Sequence, residues 1–259
     1  MVIGPQIFAS VLNNYLPEPH SSLLNGILFG VDLKTSKELY QELKVVGLLH
    51  LVVLSGINIT LLASFVAAFT GFFSKRMSLL ITILTIIFFI LFVGPKAPII
   101  RAGVMGILTY VAIIKKRKNF VFYSLFLSII FIAIFFPKWL TSVSLFLSYG
   151  ATLGIILFGY SSSKNQIWKE LRVSLAAQIF TAPIIFIYFR QISLISPVSN
   201  LLVAPLIAPL MVFGFATAIL GKVNYILGLI PAHICYGILT YLVWVVDTLS
   251  KLPFVFLQF

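Results

Sequence analysis

The residues with the most chemical character sit in one short stretch, His50-Leu51-Val52-Val53-Leu54-Ser55-Gly56-Ile57-Asn58-Ile59. A Ser-Gly pair flanked by His and Asn in an apolar run favours local unwinding of a helix. Backbone freed at membrane depth is tolerated only against protein or a water-filled cavity. His50, Ser55, Gly56 and Asn58 therefore suit the lining of a polar path, with a plain structural kink as the alternative that physics leaves open. Hydrolytic chemistry is poorly served. The six carboxylates are Glu18, Asp32, Glu38, Glu42, Glu170 and Asp247, and none lies between Glu42 and Glu170. That gap argues against paired-carboxylate hydrolysis and against an intramembrane acid relay. His20, His50 and His233 are too scattered for a zinc motif, and no Gly-rich run ends in Gly-Lys-Ser/Thr. Cys235 lies alone in an apolar run and reads as a small buried hydrophobe. The expectation is a protein that is not an enzyme and needs no metal or cofactor.

The elements that must position these residues are membrane helices. Of 259 residues 61% are hydrophobic and only 9% charged, with mean hydropathy +1.13, too little charge for a soluble surface of this size. A spanning helix takes about 20 mostly apolar residues. The candidates are 47–73, 77–93, 119–136, 139–160, 173–189, 197–220 and 223–249, with 98–114 as a weaker eighth because it opens with prolines and holds Arg101. The fold class is thus all-α: a polytopic transmembrane helical domain of 7–8 spans, with Pro231 offering a break in the last. No basic n-region or small-residue cleavage site marks a signal peptide at the N-terminus. The chain divides into an N-terminal interfacial segment, 1–46, and a membrane domain, 47–259. Within the first, Ser21–Val31 is apolar but too short to cross, which suits an interfacial or re-entrant piece. Thr35-Ser36-Lys37-Glu38 fits a capping box with Thr35 as N-cap, and Leu39, Leu43 and Val46 follow at helical spacing. An amphipathic helix at the membrane surface is predicted there.

Loop charges set the orientation. With eight crossings, one side holds ten cations: Lys75, Arg76, Lys115, Lys116, Arg117, Lys118, Lys164, Lys169, Arg172 and Lys222. The other holds five: Lys96, Arg101, Lys138, Arg190 and Lys251. The positive-inside rule puts the first set in the cytoplasm and both ends of the domain outside. Topology and anionic lipid account for most of the net charge of +12, which by itself says little about nucleic acid.

Polar side chains recur on helix faces. Thr141, Ser144, Ser148 and Thr152 form one stripe, Ser174, Gln178 and Thr181 a second, and His233, Gly237, Thr240, Trp244 and Asp247 a third. Such stripes either pack helices closely or line a pore. Ionisable residues inside a bilayer are costly and face water or a partner, although Arg101 and Asp247 can also snorkel to the interface. The 119–136 segment, with little polar beyond Tyr123, Ser124 and Ser128, reads as lipid-facing.

The His50–Ile59 segment resembles the H-L-L-A-I-S-G-L-H-V pattern of the ComEC competence family. Leu16-Pro17-Glu18-Pro19 followed by Leu23-Leu24-Asn25-Gly26-Ile27-Leu28-Phe29-Gly30 is similar to that family's lead-in. Pro98-Ile99-Ile100-Arg101-Ala102-Gly103-Val104-Met105 is similar to S-x-x-R-A-x-x-M, and Leu147–Ile155 resembles L-S-F-x-A-x-x-G-I. Pro197, Asn200, Leu201 and Pro205 fit P-x-x-N-x-x-x-x-P. These matches come in the family's order over roughly 16–210. The departure is Asn58, where the family usually has a second His; it keeps a hydrogen-bonding side chain but weakens a proton-dependent role.

The resemblance implies the membrane channel that passes single-stranded DNA into the cytoplasm during natural transformation, in the bacterial cytoplasmic (inner) membrane. Members often carry an oligonucleotide-binding-like domain and a metallo-β-lactamase-like domain as well. Neither fits in this chain, and H-x-H-x-D is absent. On this reading His50, Ser55, Gly56 and Asn58 shape the path and Arg101 attracts phosphates at its outer mouth. Ser148, Gln178, Asn200 and His233 line it, while Tyr149, Tyr188 and Trp244 offer stacking surfaces or an aromatic belt. The partners implied are the strand, membrane lipid, a cytoplasmic helicase-type translocase and an external DNA receptor or nuclease; a homo-oligomer is left open. The rival readings are a membrane-embedded enzyme acting on lipid-linked or sugar substrates, with His50 or His233 as base, and a small-solute transporter, for which inverted repeats are expected and none stands out.

Overall fold

The computed structural model describes residues 4–116, 121–160, 165–253 and 256–258. Arg117, Lys118, Asn119 and Lys164, which figure in the loop-charge and span expectations, lie outside them. The elements in chain order are α1 (Pro5–Tyr15), α2 (His20–Phe29), α3 (Lys37–Val45), α4 (Leu49–Val52), α5 (Gly56–Phe69), α6 (Lys75–Val93), α7 (Ala97–Ile114) and α8 (Val121–Phe135). A 3-10 turn (Pro137–Thr141) leads into α9 (Val143–Phe158), α10 (Gln166–Phe189), β1 (Gln191–Ser193), α11 (Ser196–Val223), α12 (Tyr225–Ser250) and β2 (Phe256–Gln258). The two short strands pair antiparallel, with Ile192 opposite Leu257.

Helices α6, α7, α10, α11 and α12 are long and apolar enough to cross a membrane, and α5, α8 and α9 are shorter apolar helices. The protein is a helical membrane protein, and these eight helices follow the eight expected segments. The weak eighth candidate is a regular helix because its proline falls in the first turn, where no intrahelical N–H bond is lost. Polar caps open several of them. Ser74 Oγ accepts from Met77 N, Asn165 Oδ1 from Ile167 N and Asn224 Oδ1 from Ile226 N. Pro231 does not split the last segment: α12 runs unbroken through it, as α11 does through Pro205 and Pro209. In membrane helices the freed carbonyls are satisfied locally, so an internal proline need not end the helix.

The chain forms two compact units. The first comprises Met1–Leu54, Ser161–Leu175 and Ile185–Phe259. Here α11 and α12, joined at Asn224, pack side by side, and α1, α2 and α3 pack against them. Its core joins Leu12, Leu24 and Leu28 with Ile207, Leu210, Leu239 and Val246, all buried. Every residue of α2 is buried against the rest of its unit, with Asn25 Nδ2 donating to Asn13 Oδ1 (2.8 Å), so of the two expectations for Ser21–Val31 a piece exposed at the surface does not fit. The cap of α3 also shifts by one residue. Ser36 Oγ, not Thr35, accepts from Leu39 N (3.2 Å), while Thr35 Oγ1 is buried with no partner. The helix keeps its amphipathic face, burying Leu39 and Leu43.

The second unit comprises Ser55–Tyr160 and Ala176–Ile184. Within it α5, α6 and α7 pack mutually, and α7 also packs on α8 and α9. A lipid-facing α8 is half right. Phe122, Phe126 and Ile134 are exposed, but Ser124 and Ser128 are buried. Ser128 Oγ lies 2.9 Å from the Tyr149 hydroxyl and donates to the Leu125 carbonyl (2.6 Å). The two serines mark the packed face, because a hydroxyl with a partner across the helix contact gains what hydrocarbon cannot supply.

Candidate polar centre of the second unit

The break expected at Ser55-Gly56 is present: α4 stops at Val52, residues 53–55 are extended or bent, and α5 starts at Gly56. Glycine is required there by proximity. A Cβ at position 56 would lie 2.9 Å from Ala102 Cβ, 3.0 Å from Arg101 Nη2 and 3.6 Å from the Pro98 carbonyl oxygen. So α5 begins in near contact with the first turns of α7. Its N-cap, Ser55, makes no side-chain cap bond, and no acid occupies its first turn. The Ser55 hydroxyl donates instead to Asn58 Oδ1 (3.4 Å), and Asn58 is 1% exposed.

Arg101 is the hub. Its side chain is 9% exposed, Nε donates to Ser148 Oγ (2.8 Å), and Nη1 donates to Thr152 Oγ1 (2.7 Å) and contacts Met105 Sδ (3.4 Å). Cζ stands 5.8 Å from the centre of the Tyr149 ring, a cation–π placement. The snorkelling alternative is thereby overturned: the guanidinium turns inward onto the α9 hydroxyls. Ser148 and Thr152, one turn apart, were visible in sequence as a stripe. Thr141 drops out of that stripe, since it lies in the 3-10 turn and donates to the Lys138 carbonyl, and Ser144 is exposed. Tyr149, offered as a stacking surface, instead links Arg101 to Ser128. No carboxylate occurs anywhere in this unit's sequence, and the one ion pair among the described residues is Lys251–Asp247, in the first unit.

The other expected site residues are more dispersed. Gln178 is half-buried on α10 within the second unit. Asn200, in the first unit, donates to Ser174 Oγ (3.1 Å) and Ser196 Oγ (3.4 Å), and its Oδ1 is buried with no partner. Close by, Gly47 takes φ +74, and a Cβ there would fall 2.7 Å from that of Ser196, so glycine is needed on both counts. His50 is exposed, with Nδ1 2.8 Å from the Gly47 carbonyl oxygen. His233, Gly237, Thr240 and Trp244 lie on the exposed side of α12, and His233 Nδ1 meets the Leu229 carbonyl (2.8 Å). Asp247 pairs with Lys251 on the next turn.

A second polar feature escaped the sequence reading. Glu18, Glu38, Glu42 and Asp247, four of the six carboxylates, line one open cavity of about 430 Å³ together with Lys34, Thr35 and Ser36. Burial, then the charge of Asp247, pushes the Glu42 carboxyl above its usual range. Residues so far apart in the chain give no local signal. Among the described residues no cluster of three or more His, Cys, Asp or Glu side chains is placed to hold a metal.

Comparison with known proteins agrees with the family resemblance. A family model described as Competence protein matches residues 27–259. ComE operon protein 3 of Bacillus subtilis (strain 168) is 24% identical over 202 residues, which is 76% of this chain and 26% of that protein. A protein of Aquifex aeolicus (strain VF5), described as uncharacterized, is 31% identical over 179 residues, 69% of this chain and 41% of its own length. The chain therefore spans well under two thirds of either relative. No solved structure matches it.

Proposed function

This chain belongs to the Competence protein family, and from that premise we propose that it is the membrane channel carrying single-stranded DNA into the cytoplasm during natural transformation. The observation that carries the reading is the polar centre of the second unit, where buried Asn58 and Arg101 stand with half-buried Ser148, Tyr149 and Thr152 in an acid-free sequence. A strand bears one phosphate charge per nucleotide and cannot cross hydrocarbon without a polar or positive route. Ser55, Gly56, Asn58, Arg101, Ser148 and Gln178 of the second unit are its path residues in this proposal. His50, Asn200 and His233 of the first unit join them on sequence grounds. The protein acts as a multi-pass conduit in the inner membrane. The driving force comes from a cytoplasmic helicase-type translocase, and an external receptor or nuclease supplies the strand.

Transformability of a deletion strain tests the reading directly. Both purified double-stranded and purified single-stranded donors should fail to transform it. Normal transformation by either would remove the chain from the uptake route.

Topology gives a second expected result. In a Cys235→Ser background, an impermeant thiol reagent should label a cysteine at position 138 or 190 in intact cells and leave position 116 unlabelled. Labelling at 116 but not at 138 reverses the orientation. A third concerns chemistry: the purified chain should cleave neither DNA nor ATP with added Zn²⁺, Mn²⁺ or Mg²⁺. Metal-dependent nuclease activity above that of a vector-only preparation would falsify the conduit-only role.

A further inference from the structure

Two positive features converge at the start of α5. One is the helix N-terminus itself. The 14-residue helix begins at Gly56 without a side-chain cap and without an acid in its first turn, and the Gly56 and Ile57 amides have no hydrogen-bond partner among the described residues. Such an end carries about half a positive charge and presents N–H donors. The other is Arg101. Nε and Nη1 are engaged by Ser148, Thr152 and Met105, whereas Nη2 has no partner among the described residues and lies 3.0 Å from where a Cβ at position 56 would be. A guanidinium 9% exposed is thus aimed into an uncapped helix end, in a unit whose sequence holds no Asp or Glu. Left alone, the two repel, and a buried cation without an anion is strongly unfavourable. Gly56 and Ile57 keep the place reachable, being half-buried and exposed respectively.

We propose that the α5 N-terminus and Arg101 Nη2 together form an anion site that takes one phosphate oxyanion, the ligand being a phosphodiester of the translocating strand. The first part stands on geometry and charge; the choice of strand rests on the channel reading. Each element has a separate task. The Gly56 and Ile57 amides and Nη2 donate to the phosphate oxygens. Ser148, Thr152 and the Tyr149 ring fix the guanidinium plane so that its free edge faces α5. Gly56, having no Cβ, lets Arg101 Nη2 come close to the helix end. A single phosphate held by three donors, with no contact to a base, fits passage that ignores sequence.

The test uses the full chain in a phosphate-free detergent at fixed salt, with fluorescein-labelled oligo-dT as probe. Binding should weaken about tenfold or more in Arg101→Gln, be only partly kept by Arg101→Lys, and fall in Gly56→Ala, whose methyl would crowd Arg101 Nη2 and move it off the helix end. Inorganic phosphate should compete for the probe and should also raise the thermal unfolding midpoint of the unaltered protein, a readout that does not depend on the variants folding. Equal binding by wild type, Arg101→Gln and Gly56→Ala, with no effect of phosphate on the midpoint, overturns the site. Protection by inorganic phosphate or by phosphatidylglycerol vesicles, with no competition by oligo-dT, overturns the strand as the source and assigns a free anion or a lipid headgroup. Oligo-dT binding that needs Arg101, in a protein whose deletion leaves transformation normal, keeps the site and removes the channel reading.

Discussion

Replacing Gly56 with leucine is expected to abolish DNA uptake while the chain still inserts into the membrane. The α5–α7 approach leaves no room for even the first added carbon, which would lie 2.9 Å from Ala102 Cβ and 3.0 Å from Arg101 Nη2. Neither neighbour can yield cheaply. Ala102 has no rotamer to change, and Arg101 is tied to Ser148 and Thr152. The isobutyl group must therefore push α5 away from α7 or displace the guanidinium, a strain of about 1–3 kcal/mol. Insertion depends on the apolar length of the spans, which the change increases, so chain abundance should hold. Uptake depends on the polar centre and should not. Asn58→Leu is expected to impair uptake by removing a buried polar group next to Ser55, and Asn58→His to be tolerated because it restores hydrogen bonding. Internalised labelled DNA, normalised to chain in the membrane, is the quantity to follow. Phe126→Leu on the exposed face of α8 serves as the neutral comparison. If Gly56→Leu and Asn58→Leu import DNA as well as Phe126→Leu does, the segment is ordinary helix packing.

How much of this could be read from sequence depended on whether a feature was local. The apolar helices came from hydropathy, and the break at residue 55 from a Ser-Gly pair whose effect on the backbone is immediate. The start of α3 was legible but its cap was misplaced by one residue: Thr35 and Ser36 offer the same hydroxyl, and with Ser36 as N-cap the third helical residue is Leu39, so the expected capping box with Glu38 does not form. What stayed hidden was pairing across helices. The stripe on α9 showed that Ser148 and Thr152 share a face, yet periodicity names no partner, and Arg101 lies nearly fifty residues away. The packed face of α2 was unreadable for a different reason: an apolar helix too short to span carries the same pattern on a membrane surface as inside a core. Sequence does supply the fact that gives the Arg101 site its meaning, the absence of any acid from Glu42 to Glu170. Structure adds that this acid-free stretch surrounds a buried cation.

Ser128 is the residue for which the sequence and the structure make opposite forecasts, and Ser128→Leu separates them. A serine on a lipid-facing helix loses nothing on becoming leucine. The serine found here is fully buried, with its hydroxyl 2.6 Å from the Leu125 carbonyl and 2.9 Å from the Tyr149 hydroxyl. Leucine adds three carbons to a closed contact between α8 and α9, worth about 1–3 kcal/mol of overpacking. It also takes away the partner of the Tyr149 hydroxyl, for about 1 kcal/mol more. Thermal unfolding in detergent should therefore drop by several degrees for Ser128→Leu, less for Ser128→Ala, and little for Phe126→Leu. The pair can be isolated by a double-mutant cycle. Removing both hydroxyls in Ser128→Ala with Tyr149→Phe should cost less than the two single changes added together, since neither partner is then left unpaired. Because the Tyr149 ring also faces Arg101, oligo-dT binding should weaken in Ser128→Leu even at temperatures where the protein stays folded. A Ser128→Leu chain that melts with Phe126→Leu, together with strict additivity in the cycle, would place Ser128 in lipid and dissolve the link from α8 to the polar centre.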